Sequence, residues 1–311
     1  MNRLGVIDVP NHRSSHSVPV VRGGGIGPAI AIVLSLGVSV VLFPGPRRYI
    51  LLLAAAAIAS ALLGWFEDRQ GVPVRYRLGA QVLIGSCVSI AFALLFGVHW
   101  AWLPVLIFFF ASYINVANFM DGINGISALH GAAVGAVYLL VGVYYHLPWM
   151  ALGSVVLGTA FLGFLPANAS GKVFLGDVGS YLLGGFIATL AIGTFSAGVP
   201  IVVIIAPLAI YLADTGFTLI KRITRGEKWS EAHRSHVFQK LSPEYFGHLT
   251  AALVVNVLSL GIGLYILLAT VNSPSSIARL VVPALLVVLY LLSPVGLSVF
   301  RKRPSRQGRA E

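Results

Sequence analysis

Between Asn115 and Ser127 the chain reads N-V-A-N-F-M-D-G-I-N-G-I-S, which sets Asn115, Asn118, Asp121 and Asn124 three residues apart directly after the apolar run Trp100 to Ile114. Amides at that spacing can hydrogen-bond sugar hydroxyls and nucleobase edges, while the carboxylate handles a proton or a metal. A polar helix end closed at Gly122 or Gly125 would carry the same residues. Other stretches bear on the choice. Glu67 and Asp68 are adjacent carboxylates followed by Arg69, Arg75 and Arg77; such a pair can hold a divalent ion or do base work, or it can be salt-bridged to those arginines. Asp177 stands between glycines in F-L-G-D-V-G-S, where it either caps a helix, with Ser180 as a competing cap, or ligates Mg²⁺. Phe174, three residues earlier, can stack on a base.

Two more stretches are basic. His233-Arg234-x-His236 lacks the third strong ligand that zinc would want, and histidines beside an arginine neutralise phosphate oxygens. A juxtamembrane loop with Trp229 and Phe238 at the interface is the plainer reading. Arg13, His16 and Arg22 lead into Gly23-Gly24-Gly25, whose N–H groups can face an anion at a helix start, or whose missing side chains can permit close helix packing. The phosphate-loop pattern G-x-x-x-x-G-K-[ST] does not occur.

These residues must be positioned by membrane helices, because 57% of the 311 residues are hydrophobic and only 10% are charged. The fold expected is all-α, a polytopic integral membrane protein of about ten transmembrane helices with catalytic cytoplasmic loops, in one domain over residues 1–311. Apolar runs mark spans at Gly27 to Phe43, Tyr49 to Phe66, Gly79 to Phe96, Trp102 to Ala117, Ser127 to Tyr145, Trp149 to Pro166, Tyr181 to Ala197, Ile201 to Ile220, Leu249 to Thr270 and Ile277 to Phe300. With Met1 to Gly25 in the cytoplasm, all the Lys and Arg except Arg47, Arg48 and Arg279 are cytoplasmic, as the positive-inside rule requires. Every acid except Asp214 falls on that same face. Asp214 lies within a span and should face the bundle interior, as catalyst or as helix clamp. His130, on the fifth span, is expected to be packed and hydrogen-bonded.

Several classes are excluded or disfavoured. The single cysteine, Cys87, rules out a disulfide framework and a cysteine-rich metal site. The N-terminal stretch is polar and lacks the hydrophobic core of a cleaved signal peptide. A net charge of +11 invites a nucleic-acid reading, yet the basic residues flank spans, where they set topology and meet lipid headgroups. A membrane transporter with a cytoplasmic phosphate- or nucleotide-binding face is the alternative function, but a transporter places ionisable residues at mid-membrane on broken helices. What gathers here on one face is the inventory of a metal-assisted phosphoryl site, with acids for an ion and cations for anionic partners.

The motifs N-x-x-N-x-x-D-G-x-N-G, F-x-G-D-x-G-S, H-R-S-H-x-x-Q and D-V-P-N-x-R-S-S-H-S-x-P-x-x-R-G-G-G together resemble the polyprenyl-phosphate N-acetylhexosamine-1-phosphate transferases, the family of the MraY and WecA enzymes, with the nearest likeness to the WbpL-like O-antigen initiating branch. The resemblance covers nearly the whole chain. It implies Mg²⁺-dependent transfer of a HexNAc-1-phosphate from a UDP-sugar to undecaprenyl phosphate, with Mn²⁺ as a substitute ion, in the bacterial inner membrane with the site facing the cytoplasm. Membrane lipid is then a partner, nucleic acid is not, and a homodimer is compatible.

By resemblance, Asp177 is the metal-binding aspartate with Asp68 as a second ligand, and Phe174 stacks on uracil. Asn115, Asn118, Asp121 and Asn124 line the nucleotide site, and His233, Arg234 and His236 contact the sugar or diphosphate, with Arg22, Arg75 and Arg77 adding positive charge. Glu67 and Asp68 fall on the pair implicated in activating the lipid phosphate, and Asp121 and Asp177 complete the acids assigned to catalysis. Two departures stand out. Glu67 occupies a position that is usually Asp, and the chain starts just ahead of the first cytoplasmic loop where relatives carry one more span. The D-G-x-x-A-R signature of CDP-alcohol transferases is missing.

Overall fold

The computed structural model describes residues 7–8, 20–21, 23–43, 45–227, 235–272 and 277–301. A two-residue antiparallel ladder pairs β1 (Ile7–Asp8) with β2 (Val20–Val21). Twelve helices follow: α1 (Ile26–Leu42), α2 (Arg47–Gln70), α3 (Val74–Phe96), α4 (Leu103–Met120), α5 (Ile126–Tyr144), α6 (Pro148–Ala169), α7 (Gly176–Ser196), α8 (Ile201–Ile205), α9 (Ala209–Thr224), α10 (Val237–Glu244), α11 (His248–Asn272) and α12 (Val281–Arg301). The architecture is all-α, as expected.

Among the described residues nine helical segments are long and apolar enough to cross a membrane, and α1 is a shorter apolar helix of 17 residues. These coincide with the ten expected spans. One of them, Ile201–Thr224, is α8 and α9 joined through a 3-10 turn at Ala206–Leu208, where Pro207 supplies no N–H to the helical ladder. Several helices run a turn further than hydropathy indicates, α2 to Gln70 and α4 to Met120, while α7 begins at Gly176 rather than Tyr181. That extra turn carries Glu67, Asp68, Asn118 and Asp177 on helix ends instead of loops.

The axis of the bundle is α7. Of its apolar window 94% is buried, whereas Leu34 on α1, Phe108 on α4 and Leu268 on α11 stay exposed, as side chains facing lipid do. Glycine sets how closely neighbours approach it. Gly64 of α2 lies against the Asp177–Val178 peptide, so that a Cβ there would overlap the Asp177 carbonyl, and Gly185 admits Ser60 in the same way. The last turn of α2 is thereby clamped to the first turn of α7.

The glycine run at the start of α1 is also resolved between its two readings. Gly24 N–H donates to the Phe174 carbonyl at 2.9 Å and Gly25 N–H to the Leu175 carbonyl at 2.8 Å. Gly25 packs on Gly179. The run serves close packing, and these two N–H groups are spent on the chain rather than turned to an anion.

Candidate active site

The site is built around the N-terminus of α7, whose first N–H groups have no intrahelical acceptor. Leu175 precedes the helix and has no side chain to cap it. The acceptor comes instead from α2, 109 residues earlier: Asp68 Oδ1 takes the Asp177 N–H at 3.0 Å and Asp68 Oδ2 takes the Val178 N–H at 2.9 Å. A charged cap on a helix start contributes about 0.5–2 kcal/mol. It also frees Asp177 from the capping role that its position suggests.

Asp177 turns its carboxylate to α4. Asn118 Nδ2 donates to Asp177 Oδ1 at 2.6 Å and to Ser180 Oγ at 3.0 Å. One turn on, Asp121 sits at the C-cap of α4 and accepts from Ser127 Oγ in the first turn of α5 at 2.7 Å. The turn between them is tied down by Asn168 of α6, whose Oδ1 takes the Gly125 N–H at 2.7 Å while its Nδ2 donates to the Val173 carbonyl at 3.0 Å. Asn124 is half-buried beside Gly171. Asn118, Asp121, Asn124, Phe174 and Asp177 therefore lie on the end of α4, the start of α7 and the two short loops beside them, at one end of the bundle.

The paired acids divide their work. Glu67 accepts from Arg77 Nη1 in an ion pair and from the Val72 N–H at 2.7 Å, closing the loop from α2 to α3. Arg77 Nη1 also reaches the Tyr181 hydroxyl at 3.5 Å, which ties that loop to α7. So the salt-bridge reading describes Glu67, and the capping of α7 describes Asp68. Arg75 is exposed, its guanidinium 4.7 Å above the Tyr76 ring. Asn115 lies one turn deeper than Asn118 and clamps α4 to α3 by donating to Gln81 Oε1 at 2.7 Å, with a second bond to the Ala111 carbonyl. Arg22, His233 and Arg234 lie outside the described residues.

On the other flank Asp214 is fully buried. It accepts from the His236 ring at 3.0 Å, from the Val237 N–H at 3.0 Å, from the Phe238 N–H at 3.2 Å and from the Tyr290 hydroxyl at 2.6 Å. Asp214 is thus a clamp between α9, α10 and α12. His130 is packed as expected, bonded to the Tyr113 hydroxyl at 2.8 Å and stacked on Tyr211 at 3.5 Å.

Residues to which sequence reasoning gave no individual role are Gly64, Ser127, Asn168 and Gln239. For Asn168 the signal is an amide inside the last apolar turn of a span. For Gln239 it is the N-cap-x-x-Gln spacing counted from His236, with Gln239 Oε1 accepting the His236 N–H at 3.4 Å.

The donor set suits a hard divalent cation. Among the described residues no three His, Cys, Asp or Glu side chains converge to make a closed cage. Mg²⁺ does not ask for one, because it keeps water and substrate phosphate in its shell and takes one or two carboxylates. Two anionic groups meeting at the α7 start, Asp177 and Asp68, present that chemistry. At the far end of the bundle an apolar groove between Trp102, Phe109, Phe195 and Ile205 offers no polar group for such an ion.

Residues 50–195 match the family model described as glycosyl transferase family 4, a region that contains every described site residue except those of α9 and α10. The chain is 26% identical over 277 residues, covering 81% of it and 74% of the relative, to a probable undecaprenyl-phosphate N-acetylglucosaminyl 1-phosphate transferase of Bacillus subtilis (strain 168). It is 26% identical over 302 residues, covering 82% of it and 73% of the relative, to a decaprenyl-phosphate N-acetylglucosaminephosphotransferase of Mycobacterium tuberculosis. A phospho-N-acetylmuramoyl-pentapeptide-transferase of Staphylococcus epidermidis is 26% identical over 195 residues, which covers 54% of the chain and 60% of that protein.

Proposed function

From the match of residues 50–195 to the glycosyl transferase family 4 model, we propose that the chain is a member of that family and transfers an N-acetylhexosamine 1-phosphate from a UDP-linked sugar to undecaprenyl phosphate, releasing UMP and initiating a lipid-linked O-antigen or another cell-envelope polysaccharide. The observation that carries this reading is the meeting of Asp177 with Asn118 and Asp68 where three membrane helices end. The test is direct: purified protein in detergent should release UMP from a UDP-N-acetylhexosamine only when undecaprenyl phosphate is added. UMP release that is indifferent to the lipid would sink the proposal.

The reaction is a single displacement. An ionised oxygen of the lipid phosphate forms a bond to the sugar-linked phosphorus while the bond from that phosphorus to the UMP oxygen breaks, and UMP leaves with the electron pair. Mg²⁺, or Mn²⁺ in its place, held at Asp177 would neutralise diphosphate oxygens and relieve the repulsion between two anionic reactants. Asn118 fixes the carboxylate of Asp177, and Asp68 holds the helix turn that presents it. Asp121, steadied by Ser127, and Asn124 line the nucleotide end, with the Phe174 ring as the surface for uracil. Arg22, His233 and Arg234 gather the phosphates, as does His236. Glu67 and Asp68 each accept bonds from the chain, and their remaining lone pairs leave either able to take a proton from the acceptor, with Asp68 also able to ligate the ion; the acceptor's own ionised oxygen needs no strong base.

A two-step route through an acyl phosphate on Asp121 would behave differently. Enzyme stripped of polyprenyl phosphate and given Mg²⁺, UDP-N-acetylhexosamine and labelled UMP is expected to show no label in the UDP-sugar. Exchange that disappears in Asp121→Asn would replace the single displacement with the two-step route.

The membrane is the bacterial inner membrane and the site faces the cytoplasm, a reading supported by the one-sided distribution of Lys and Arg. Ser170→Cys should be shielded from an impermeant thiol reagent in intact cells and Gly45→Cys should label. The opposite pattern inverts the topology.

A further inference from the structure

Two polar side chains within the spans take no part in the transfer chemistry, and both point at one atom. Tyr211 of α9 and Asn256 of α11 are buried within membrane-length apolar segments, where a phenol or an amide is stable only if the chain supplies it with a partner. The Tyr211 hydroxyl donates to the Ile126 carbonyl at 3.1 Å, and Asn256 Nδ2 donates to the same oxygen at 3.0 Å. They reach it from 85 and 130 residues away in the chain. Ile126 is the first residue of α5, so two distant helices grip the first turn of a third. The grip is itself held. The Tyr211 ring lies on that of His130 of α5, centroids 3.5 Å apart and planes 8° from parallel, and His130 is bonded to the Tyr113 hydroxyl of α4 at 2.8 Å. Asn256 Nδ2 makes a second bond, to the Ala252 carbonyl of its own helix at 2.9 Å.

What this turn carries is the site. The N-cap of α5 is Gly125, in the left-handed region at φ 87° and with no side chain to close the helix. The start of α5 is therefore fixed from outside: Asn168 takes the Gly125 N–H on the loop side, and Tyr211 and Asn256 take the Ile126 carbonyl on the core side. The next residue, Ser127, is the one that donates to Asp121, and it also neighbours the Tyr211 hydroxyl. A first turn of α5 that rotated or lifted would take Ser127 with it, and the Asp121 carboxylate would follow or lose its donor.

We propose that Tyr211 and Asn256 are positioning residues for the nucleotide end of the site: by holding the Ile126 carbonyl they fix the turn of α5 from which Ser127 sets the Asp121 carboxylate. The kinetic part rests on the transferase reading; the anchoring part does not.

The test uses full-length protein in detergent and compares Tyr211→Phe and Asn256→Leu with Tyr138→Phe. Tyr138 is a control of the same chemistry, since its buried hydroxyl donates at 2.8 Å to the Ile204 carbonyl of α8, further along α5 and away from Asp121. Amide hydrogen exchange read by mass spectrometry over residues 121–128 should quicken by about 2- to 10-fold in Tyr211→Phe and in Asn256→Leu, the scale of one buried hydrogen bond, and should keep the wild-type rate in Tyr138→Phe. In turnover the same two variants should raise KM for the UDP-sugar by about 2- to 10-fold and leave KM for undecaprenyl phosphate unchanged, a split that general loosening of the bundle does not produce. Combined with Ser127→Ala, which removes the Ser127 bond to Asp121, neither variant should raise the donor KM further. Exchange at the turn that stays at the wild-type rate in both variants, or rises as much in Tyr138→Phe, overturns the proposal, and so does a donor KM that multiplies with Ser127→Ala. Should Tyr211→Phe fail to fold, Asn256→Leu decides by the same readings. A wild-type protein that releases no UMP would count against the transferase reading alone, because exchange still reads the anchor.

Discussion

Asp177→Asn is expected to lower turnover by about a hundredfold or more while the protein keeps its fold. The substitution changes no volume. Asp177 is half-buried at a helix start, and its Oδ1 partner, Asn118 Nδ2, finds the same acceptor in the new amide oxygen. The stability lost is the attraction between an acid and the first turn of α7, about 0.3–1 kcal/mol, which is a small part of the stability of a folded domain. Function is hit much harder, because an amide is a poor ligand for a hard cation and removes a charge from the ion's surroundings. UMP release measured against Mg²⁺ concentration should therefore show both a lower plateau and a higher requirement, alongside a melting temperature within a few degrees of the wild type. Near-normal activity at low Mg²⁺ would take the metal away from Asp177.

The spans were legible because hydropathy is a property of consecutive residues, and so was the gathering of acids at one end of the bundle. Partners that come from elsewhere in the chain were not. Asp177 looks like a cap when only its neighbours Gly176 and Ser180 are in view, and the true cap, Asp68, reaches it across 109 residues. Asp214 reads equally well as catalyst or clamp until His236, Val237, Phe238 and Tyr290 are seen to converge on it.

At Asn115 the packing partner was not legible either. A spacing of three ranks it with Asn118 and Asp121, but 3.6 residues per turn carries it one turn down α4, to Gln81 on α3. The adjacent acids Glu67 and Asp68 could not be told apart by sequence, since successive residues on a helix point about 100° apart and only the packing decides that one meets Arg77 and the other α7. The helix ends moved for the same reason. Polar residues terminate a hydropathy plot, whereas α2 and α7 continue through them because each finds a bond on its neighbour.

That neighbour contact is what Gly64→Ala should break. Gly64 lies one turn before Asp68, and an added Cβ would run into the Asp177 carbonyl and the Val178 Cα. These are backbone atoms within a helix, so no rotamer can relieve the overlap. Either α2 and α7 separate or the first turn of α7 deforms, and both outcomes move Asp68 away from the Asp177 and Val178 N–H groups at the point where Asp177 must be held. Misplacement of a catalytic group by about 1 Å can cost on the order of 100-fold in rate, so turnover is expected to fall by about that factor. Overpacking of a tight helix contact also destabilises by about 1–3 kcal/mol, and the melting temperature should drop with it. Gly79→Ala on α3 is the control, because a Cβ there meets nothing within 4 Å and alanine favours the helix by about 1 kcal/mol. Equal activity in the Gly64→Ala and Gly79→Ala proteins would show that the close contact between α2 and α7 does not hold the site together.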